Sequence, residues 1–193
     1  MTTPDEVLDF WFAGDPSTHR REWFTQSATF DAACSRFAAA LRDAKTAALD
    51  HWTATPRGTL ALVILLDQFS RNLHRNSSEA FAADAKAIGI ARLAVNRGID
   101  QMLGPLERAF VYMPFMHAER IEDQDEAVRL FSALGGDAAC SAVNHREVIR
   151  RFGRFPHRNE TLGRISTPDE TAYLAQPGSR FEPSDPGTPA ADA

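Results

Sequence analysis

Apolar residues recur every three or four positions along most of this 193-residue chain, which is the spacing of one face of an α-helix. Between residues 29 and 52, for example, Phe30, Phe37 and Leu41 fall on one stripe, which predicts a single long helix. No stretch keeps the alternation of apolar and polar residues that is typical of a half-buried strand. The pattern therefore predicts an all-α fold of about eight helices joined by short loops.

The most apolar part of the chain is residues 60–66, where every face of a helix would be apolar. A helix of this composition is expected at the centre of the fold, buried on all sides. The sequence then turns polar within one turn, and polar groups that continue a buried helix need hydrogen-bond partners. This polar end predicts part of a ligand-binding site, formed by Asp67, Gln68, Arg71 and Asn72.

Capping residues and prolines predict where individual helices begin and end. Thr59 is expected to cap the central helix, and Asp137 is expected to cap a later helix that runs to Phe152 and is closed by Gly153. Pro114 lies inside a helical pattern, so a kink or a break is expected there.

The helical pattern extends over residues 1–181, which we interpret as a single domain at this chain length. Residues 182–193 are rich in Pro and Ala and are predicted to form a disordered tail. Helix-loop-helix pairs recur roughly every 30–45 residues, a spacing found in helical repeats. The helices are therefore expected to form a tetratricopeptide-like repeat stack or a bundle.

Composition and charge argue against some classes of binding partner. The sequence is 44% hydrophobic and 24% charged, and its pI near 5.7 argues against a general nucleic-acid binder. The longest apolar run is too short to cross a bilayer, and the first residues lack the pattern of a signal peptide. We expect a cytoplasmic protein without a membrane partner or a cofactor, in which Cys34 and Cys140 are buried free thiols.

Positive charge is concentrated in residues 145–164, although the whole chain carries a formal charge of −5. Six of the 19 arginines lie there against two glutamates, which gives this basic stretch +4 and leaves −9 for the other residues. The guanidinium group binds carboxylates and phosphates in a bidentate geometry. The basic stretch therefore predicts an anion site whose ligand-binding residues include Arg151, Arg154, Arg158 and Asn159.

Histidine and glutamate residues near these arginines are candidates for acid–base chemistry. An unperturbed histidine titrates near neutral pH, which suits proton transfer. We therefore assign His117, Glu119 and His157 as candidate catalytic residues. No metal site is predicted, because the sequence lacks the Glu-x-x-His pairs of carboxylate-bridged helical bundles. A serine hydrolase is not predicted either, because no GxSxG motif occurs.

Three segments together resemble a bacterial family of proteins of unknown function. They are LALVILLDQFSRNLHR at 60–75, YMPFMHAERIEDQ at 112–124 and HREVIRRFGRFPHRNETLGRISTPDETAYL at 145–174. The family signatures among them are DQFxRN and RFGRFPHRN, and the resemblance extends over about residues 5–181. It implies an all-helical, tetratricopeptide-like fold and no known activity. Ser70 and Ala118 depart from the family pattern, so neither is given a role in the site.

Two functions fit these observations. The first is a small-molecule enzyme or binder in which arginines hold an anionic phosphate or carboxylate compound. The second is a helical-repeat module that binds a protein or peptide partner, with the polar residues forming a purely structural network. A closed cavity lined by the polar residues would favour the first function. An open groove with exposed aromatic residues and dispersed charge would favour the second.

Overall fold

A computed structural model describes residues 1–181 of the protein. Its α-helices are α1 (Pro4–Phe12), α2 (Ala28–Cys34), α3 (Ala38–Lys45), α4 (Pro56–Val63), α5 (Ser70–Leu73), α6 (Asp84–Asn96), α7 (Pro105–His117), α8 (Ile121–Leu134), α9 (Asp137–Phe152) and α10 (Pro168–Leu174). None of residues 1–181 forms a strand, so the predicted all-α class is confirmed. The predicted tail, residues 182–193, lies outside the described residues.

The centre of the fold is a continuous helical segment formed by α4, a π-helical turn at Ile64–Phe69 and α5. Residues 60–66 are at most 1% exposed, as the apolar run predicts. Helices α1, α6 and α7 all pack against α4. Single π-helical turns inside α-helices are frequent at functional sites, and this one carries Asp67 and Gln68.

The start of α4 differs from the prediction. The cap is Thr55 rather than Thr59, because the Thr55 hydroxyl oxygen accepts a hydrogen bond from the Gly58 N–H at 3.1 Å. Pro56 occupies the first helical position, which suits its fixed φ and moves the start upstream. A Cβ atom on Gly58 would lie 2.2 Å from the Trp52 carbonyl oxygen, so this close approach requires glycine.

An aromatic cluster joins the N-terminal helix to the centre of the core. Trp11 is fully buried, and its ring lies edge-on to Phe69 and Phe110 with centroid distances of 5.2 and 5.5 Å. Trp23 packs against Phe110 at 4.9 Å and donates its indole N–H to the Trp11 carbonyl oxygen. These contacts hold the loop of residues 21–26 against the core.

The single helix predicted over residues 29–52 is interrupted. Helix α2 ends at Cys34, a 3-10 turn at Ser35–Phe37 leads into α3, and Ala47 adopts a positive φ of 71° beyond the end of α3. The apolar stripe is nevertheless buried throughout. The prediction of one helix was wrong because the spacing of apolar residues records which face is buried and does not record every break in the hydrogen bonding.

Helices α6 to α9 pack in sequence order, each against the next. Helix α7 continues past Pro114 to His117, so the proline does not break it. All of residues 110–116 are buried, and this packing outweighs the hydrogen bond that the proline removes. Helix α9 ends at Phe152, and Gly153 has the left-handed conformation that was predicted, with φ of 69°.

Two further expectations concern the cysteines and the membrane. Both cysteines are free, but only Cys34 is buried. Cys140 is exposed, contrary to the prediction, because the first turn of α9 lies at the surface. Within residues 1–181, no helix is both long enough and apolar enough to cross a membrane.

Candidate functional site

A cavity of about 660 Å³ lies where the ends of α5 and α7 and the middle of α9 meet the loop of residues 21–26 and the segment 180–181. We call it the charged lobe because its lining contains five arginines and three histidines. No aspartate or glutamate of the described residues lines it. The basic side chains are Arg21, Arg71, Arg75, Arg158, Arg180, His117, His145 and His157.

A second cavity of about 600 Å³ adjoins the charged lobe and shares seven lining residues with it, which are Trp23, Phe24, Arg71, Arg75, His117, His145 and Phe181. We call it the methionine lobe, and the two lobes together the cleft. The residues that line only the methionine lobe are all uncharged. They are Gln68, Asn72, Met113, Met116, Ser141, Asn144 and Gly178.

Asp67 and His117 form a pair at the back of the cleft. The His117 Nδ1 lies 2.8 Å from the Asp67 Oδ1, and Asp67 is only 1% exposed. Burial would raise the pKa of the Asp67 carboxyl, but the Arg71 charge and the hydrogen bonds from His117 and Gln68 hold that pKa below its ordinary value. Asp67 is therefore a carboxylate at neutral pH and accepts the Nδ1–H of His117.

Burial lowers the pKa of His117, although the Asp67 carboxylate opposes that effect. The imidazole is therefore neutral at pH 7. A neutral ring that donates its Nδ1–H to Asp67 keeps a lone pair on Nε2, which can accept a proton. Because His117 also lines the charged lobe, its position suits acid–base chemistry.

Arg71 and Arg158 are held side by side by one carboxylate. Arg71 makes a bidentate contact of 3.0 Å with Asp84, and it also lies 3.1 Å from the Asp67 carboxylate. Arg158 lies 3.4 Å from the same Asp84 and donates to the His117 carbonyl oxygen at 2.9 Å. This network joins the polar end of the central helix to the basic stretch.

Arg158 is 6% exposed and stacks at 4.7 Å on the rings of both Phe81 and Phe155. Burial and the nearby Arg71 charge lower its pKa to about 10, so it still carries its proton at neutral pH. Its buried Nε atom has no hydrogen-bond partner among the described residues. A buried cationic donor with no acceptor is costly.

His145 and His157 are close to Phe181 at the rim of the charged lobe. The His145 ring stacks on Phe181 at 3.7 Å, and the His157 ring lies 5.6 Å from it. Burial lowers the pKa of each histidine to about 3, with the Arg158 charge acting in the same direction. Both rings are therefore neutral at pH 7, and the permanent positive charge of the lobe comes from arginine.

Asn72 and Arg75 are linked to α2 through Asp31. The Asn72 amide donates to the Asp31 carboxylate at 2.7 Å, and the Arg75 guanidinium pairs with both oxygens of that carboxylate. Asn72 therefore positions the end of α5. Gln68 instead donates its amide to Asp67 and lies 3.3 Å from the Met113 sulfur, on the wall of the methionine lobe.

Glu119, a predicted catalytic residue, does not line the cleft. Its carboxylate accepts two hydrogen bonds from Arg164, at 2.7 and 3.0 Å, and one from the Phe155 N–H at 2.7 Å. Burial would raise the pKa of Glu119, but these hydrogen bonds lower it below its ordinary value. The structure places Glu119 as a clamp on the loop of residues 155–164.

Arg151, Arg154 and Asn159, predicted to bind the ligand, also lie away from the cleft. Arg151 is exposed, and Arg154 makes two hydrogen bonds, of 2.6 and 2.8 Å, to the buried carboxylate of Glu170 on α10. The Asn159 amide donates to the same carboxylate at 3.3 Å. The positions of the arginines in the sequence do not show that the chain turns at Gly153. This turn directs Arg154 and Asn159 towards α10 and away from the cleft.

The cleft contains residues that were not assigned to the site from the sequence. Arg21, Phe24 and Arg75 come from segments far along the chain from the basic stretch, and Arg180 and Phe181 follow the last helix. Arg75 ends the motif segment at 60–75, whereas no local motif marks the other four. His145 is another cleft residue that the sequence could have pointed to, because it is the first residue of the basic stretch. Among residues 1–181, no group of three His, Cys, Asp or Glu side chains is arranged to hold a metal ion.

The fold and the cleft define an all-α protein with a strongly basic cavity. The chain belongs to the bacterial family of proteins of unknown function DUF924, which it matches over residues 7–178. The family predicted from the three motifs is thus confirmed. The protein of unknown function ATU0120 from Agrobacterium tumefaciens has a similar solved structure, with 40% identity and a TM-score of 0.84. The alignment covers 89% of this chain and 96% of that one. No curated protein matches the sequence.

Proposed function

We propose that this protein is a small-molecule enzyme or binder that takes an anionic phosphate or carboxylate compound into the charged lobe. The observation that carries the proposal is the lining of that lobe, which has five arginines and no carboxylate among the described residues. Cavities of about 300–1,000 Å³ are typical of small-molecule sites, and the charged lobe falls in that range.

The arginines differ in how far their charge is compensated. Arg71 and Arg158 share Asp84, and Arg75 pairs with Asp31. Arg21 and Arg180 pair with no carboxylate in the described part of the chain. The uncompensated pair would attract an anion, and the compensated arginines would hold it in a fixed geometry.

The Asp67–His117 pair supports a catalytic role within this proposal. His117 would act as the acid or base, with Asp67 fixing its tautomer and orientation. His157 lines the same lobe and stays a second candidate for proton transfer. Asp67 acts on the ligand by positioning Arg71 and His117, whereas Gln68 and Asn72 line the methionine lobe.

The proposal is tested by thermal unfolding in the presence of phosphate and carboxylate compounds. A ligand that binds only the folded state adds about 2.7 kcal/mol at 100 times its dissociation constant. Each kcal/mol raises the melting temperature of a domain of this size by about 2–4 °C, so a true ligand should raise it by roughly 5–10 °C. If no anion in the panel shifts the melting temperature, the proposal fails.

Replacing an arginine that lines the charged lobe and replacing one that pairs with Glu170 should have opposite effects on the baseline melting temperature and on the anion-induced shift. Arg180→Ala should abolish the anion-induced shift and leave the baseline melting temperature unchanged, since no described carboxylate loses its partner. Arg154→Ala should lower the baseline and keep the shift, since it leaves buried Glu170 without its arginine. Arg42→Ala is the matched control, because Arg42 is exposed and lines neither lobe.

The interaction module with a tetratricopeptide-like stack stays the alternative. The convergence of arginines on one cavity favours the small-molecule function, because a repeat surface would spread its charges over successive repeats. A cytoplasmic location is part of the proposal and is supported by the two free cysteines, which suit a reducing compartment.

A further inference from the structure

The two lobes of the cleft differ in their chemistry. The residues that line only the charged lobe include Arg21, Arg158 and Arg180, whereas those that line only the methionine lobe carry no charge. The lobes are continuous, because Trp23, Phe24 and five other residues belong to both walls. Arg71, Arg75, His117 and His145 are among the shared residues, so the positive charge of the two arginines extends to the junction of the lobes, and only the residues that belong to the methionine lobe alone are uncharged. A ligand with a charged end in the charged lobe and an uncharged end against those residues fits this arrangement.

The charge of the cleft matches a dianion. Five arginines line the charged lobe, and the carboxylates that pair with them are Asp31, Asp67 and Asp84. Two positive charges thus stay uncompensated within residues 1–181. A phosphate monoester carries about −1.5 to −2 at pH 7 and presents three strong acceptor oxygens. Its oxygens can accept hydrogen bonds from the arginine side chains that line the charged lobe.

The methionine lobe suits an apolar group, preferably an aromatic ring. Met113 and Met116 contribute flexible thioether side chains, which adapt to an apolar group and make favourable contacts with aromatic rings. Phe24 is 43% exposed although it is large and apolar, and it lines both lobes. Its exposed face and the adjacent Trp23 offer a surface on which a ring can pack.

We propose that the cleft binds a phosphate monoester of an aromatic or similarly apolar group. The phosphate lies among the arginines of the charged lobe, and the apolar group lies between the methionines and Phe24. This inference rests on the proposed function, since it specifies the class of anion that the charged lobe receives.

Isothermal titration calorimetry of the full chain with four compounds tests this specificity. The compounds are inorganic phosphate, methyl phosphate, phenyl phosphate and phenylacetate. Phenyl phosphate should bind at least roughly tenfold more tightly than methyl phosphate, because the ring leaves water and enters the methionine lobe. It should also bind more tightly than phenylacetate, which has one negative charge. Equal affinity for the three phosphates, or tighter binding of phenylacetate, overturns the inference.

Variants of the methionine lobe separate the ring contact from the phosphate contact. Asn144→Trp, at an exposed residue of that lobe, should remove the preference for phenyl phosphate and leave methyl phosphate binding unchanged. Val143→Trp is the matched control, because Val143 is the exposed neighbour on α9 and lines neither lobe. Phe24→Ala should reduce the same preference without adding bulk.

The outcomes distinguish this inference from the proposed function. If Arg180→Ala weakens all three phosphates while Asn144→Trp and Phe24→Ala leave the phenyl preference intact, the anion site stands and the placement of the ring is wrong. If no phosphate or phenylacetate binds the native protein, both the inference and the anion site are wrong.

Discussion

Asp67 lies between Arg71 and His117 with 1% of its surface exposed, and it is the residue on which the electrostatics of the cleft depend. It keeps Arg71 beside the cavity and fixes the tautomer of His117. Neither effect requires Asp67 to touch a ligand. The residue acts by positioning two others, which explains why a buried carboxylate follows the most apolar run of the chain.

Replacing Asp67 with asparagine should destabilise the protein by about 3 kcal/mol. Breaking a buried ion pair costs about 3–5 kcal/mol, and the low end applies because Arg71 keeps its bidentate contact with Asp84. The measurement is the free energy of unfolding in urea. Asp9→Asn, at an exposed residue of α1, is the control and should change little. A loss below about 1 kcal/mol would mean that Asp67 is not a central ion-pair partner.

His145 and His157 should make stability depend on pH above the range in which carboxylates titrate. The folded pKa of each is about 3, against an ordinary 6.5, so the unfolded chain binds more protons between those values. The groups near them are Arg158, Arg180 and His117, all of which disfavour a further positive charge. The stability linked to neutral His145 and His157 is therefore fully present above about pH 6.5 and is lost as the pH falls towards 3.

The test compares urea unfolding midpoints at pH 7.5 and pH 5.0. The stability linked to Glu170 is lost only between its ordinary pKa of 4.5 and its folded pKa of about 2, so this comparison excludes most of it. The native protein should have a lower midpoint at pH 5.0. A double variant with His145→Gln and His157→Gln should show a smaller difference between the two pH values. An identical difference in both proteins would show that the two histidines do not cause it.

At the scale of elements, the basic stretch divides into two parts with different partners. Arg158 contacts α6 and α7, whereas Arg154 and Asn159 contact α10, and Arg164 pairs with Glu119. Gly153 causes the division, because its positive φ reverses the chain at the end of α9. The contacts of Arg154, Asn159 and Arg164 therefore join the loop of residues 153–164 to α10 and to Glu119.

Glu119→Gln should destabilise the protein without weakening anion binding. It removes a bidentate contact with Arg164, and a hydrogen bond to a charged group contributes about 1.5–3 kcal/mol. Unfolding in urea gives the stability, and calorimetry with phosphate gives the binding. Glu160→Gln is the control, since Glu160 is exposed in the same loop and makes no ion pair with residues 1–181. A selective loss of binding would return Glu119 to the site.

At the scale of the whole molecule, the cleft is assembled from segments that are distant in sequence. Its walls come from residues 21–26, the end of α5, the end of α7, α9 and residues 178–181. The central helix, α4, brings them together because α1, α6 and α7 all pack on it. The cleft therefore depends on the complete helical domain.

Truncation after Phe181 should leave both the melting temperature and anion binding unchanged. Residues 182–193 contain no large apolar side chain that could pack on the domain. Truncation after Pro177 should lower both the melting temperature and the affinity for anions, because it removes Arg180 and the ring of Phe181 that stacks on His145. Thermal unfolding with and without phosphate measures both effects. Equal behaviour of the two truncated chains would exclude residues 178–181 from the site.

The sequence by itself determined the all-α class, the buried position of residues 60–66 and the end of α9 at Gly153. These features depend on local spacing, on capping and on the hydrophobicity of single segments, which the chain carries independently of its partners. The sequence also marked Asp67, Arg71, His117 and Arg158, because charged groups next to apolar runs require partners.

Only the tertiary structure decided which polar residues share a cavity. Arg154 and Arg158 are four residues apart in one basic stretch, yet one pairs with Glu170 on α10 and the other lines the cleft. Arg21 and Arg180 join Arg158 there from opposite ends of the described chain. A guanidinium pairs with whichever carboxylate lies within several ångströms in space. That distance depends on the path of the whole chain, so no local sequence pattern predicts the partner.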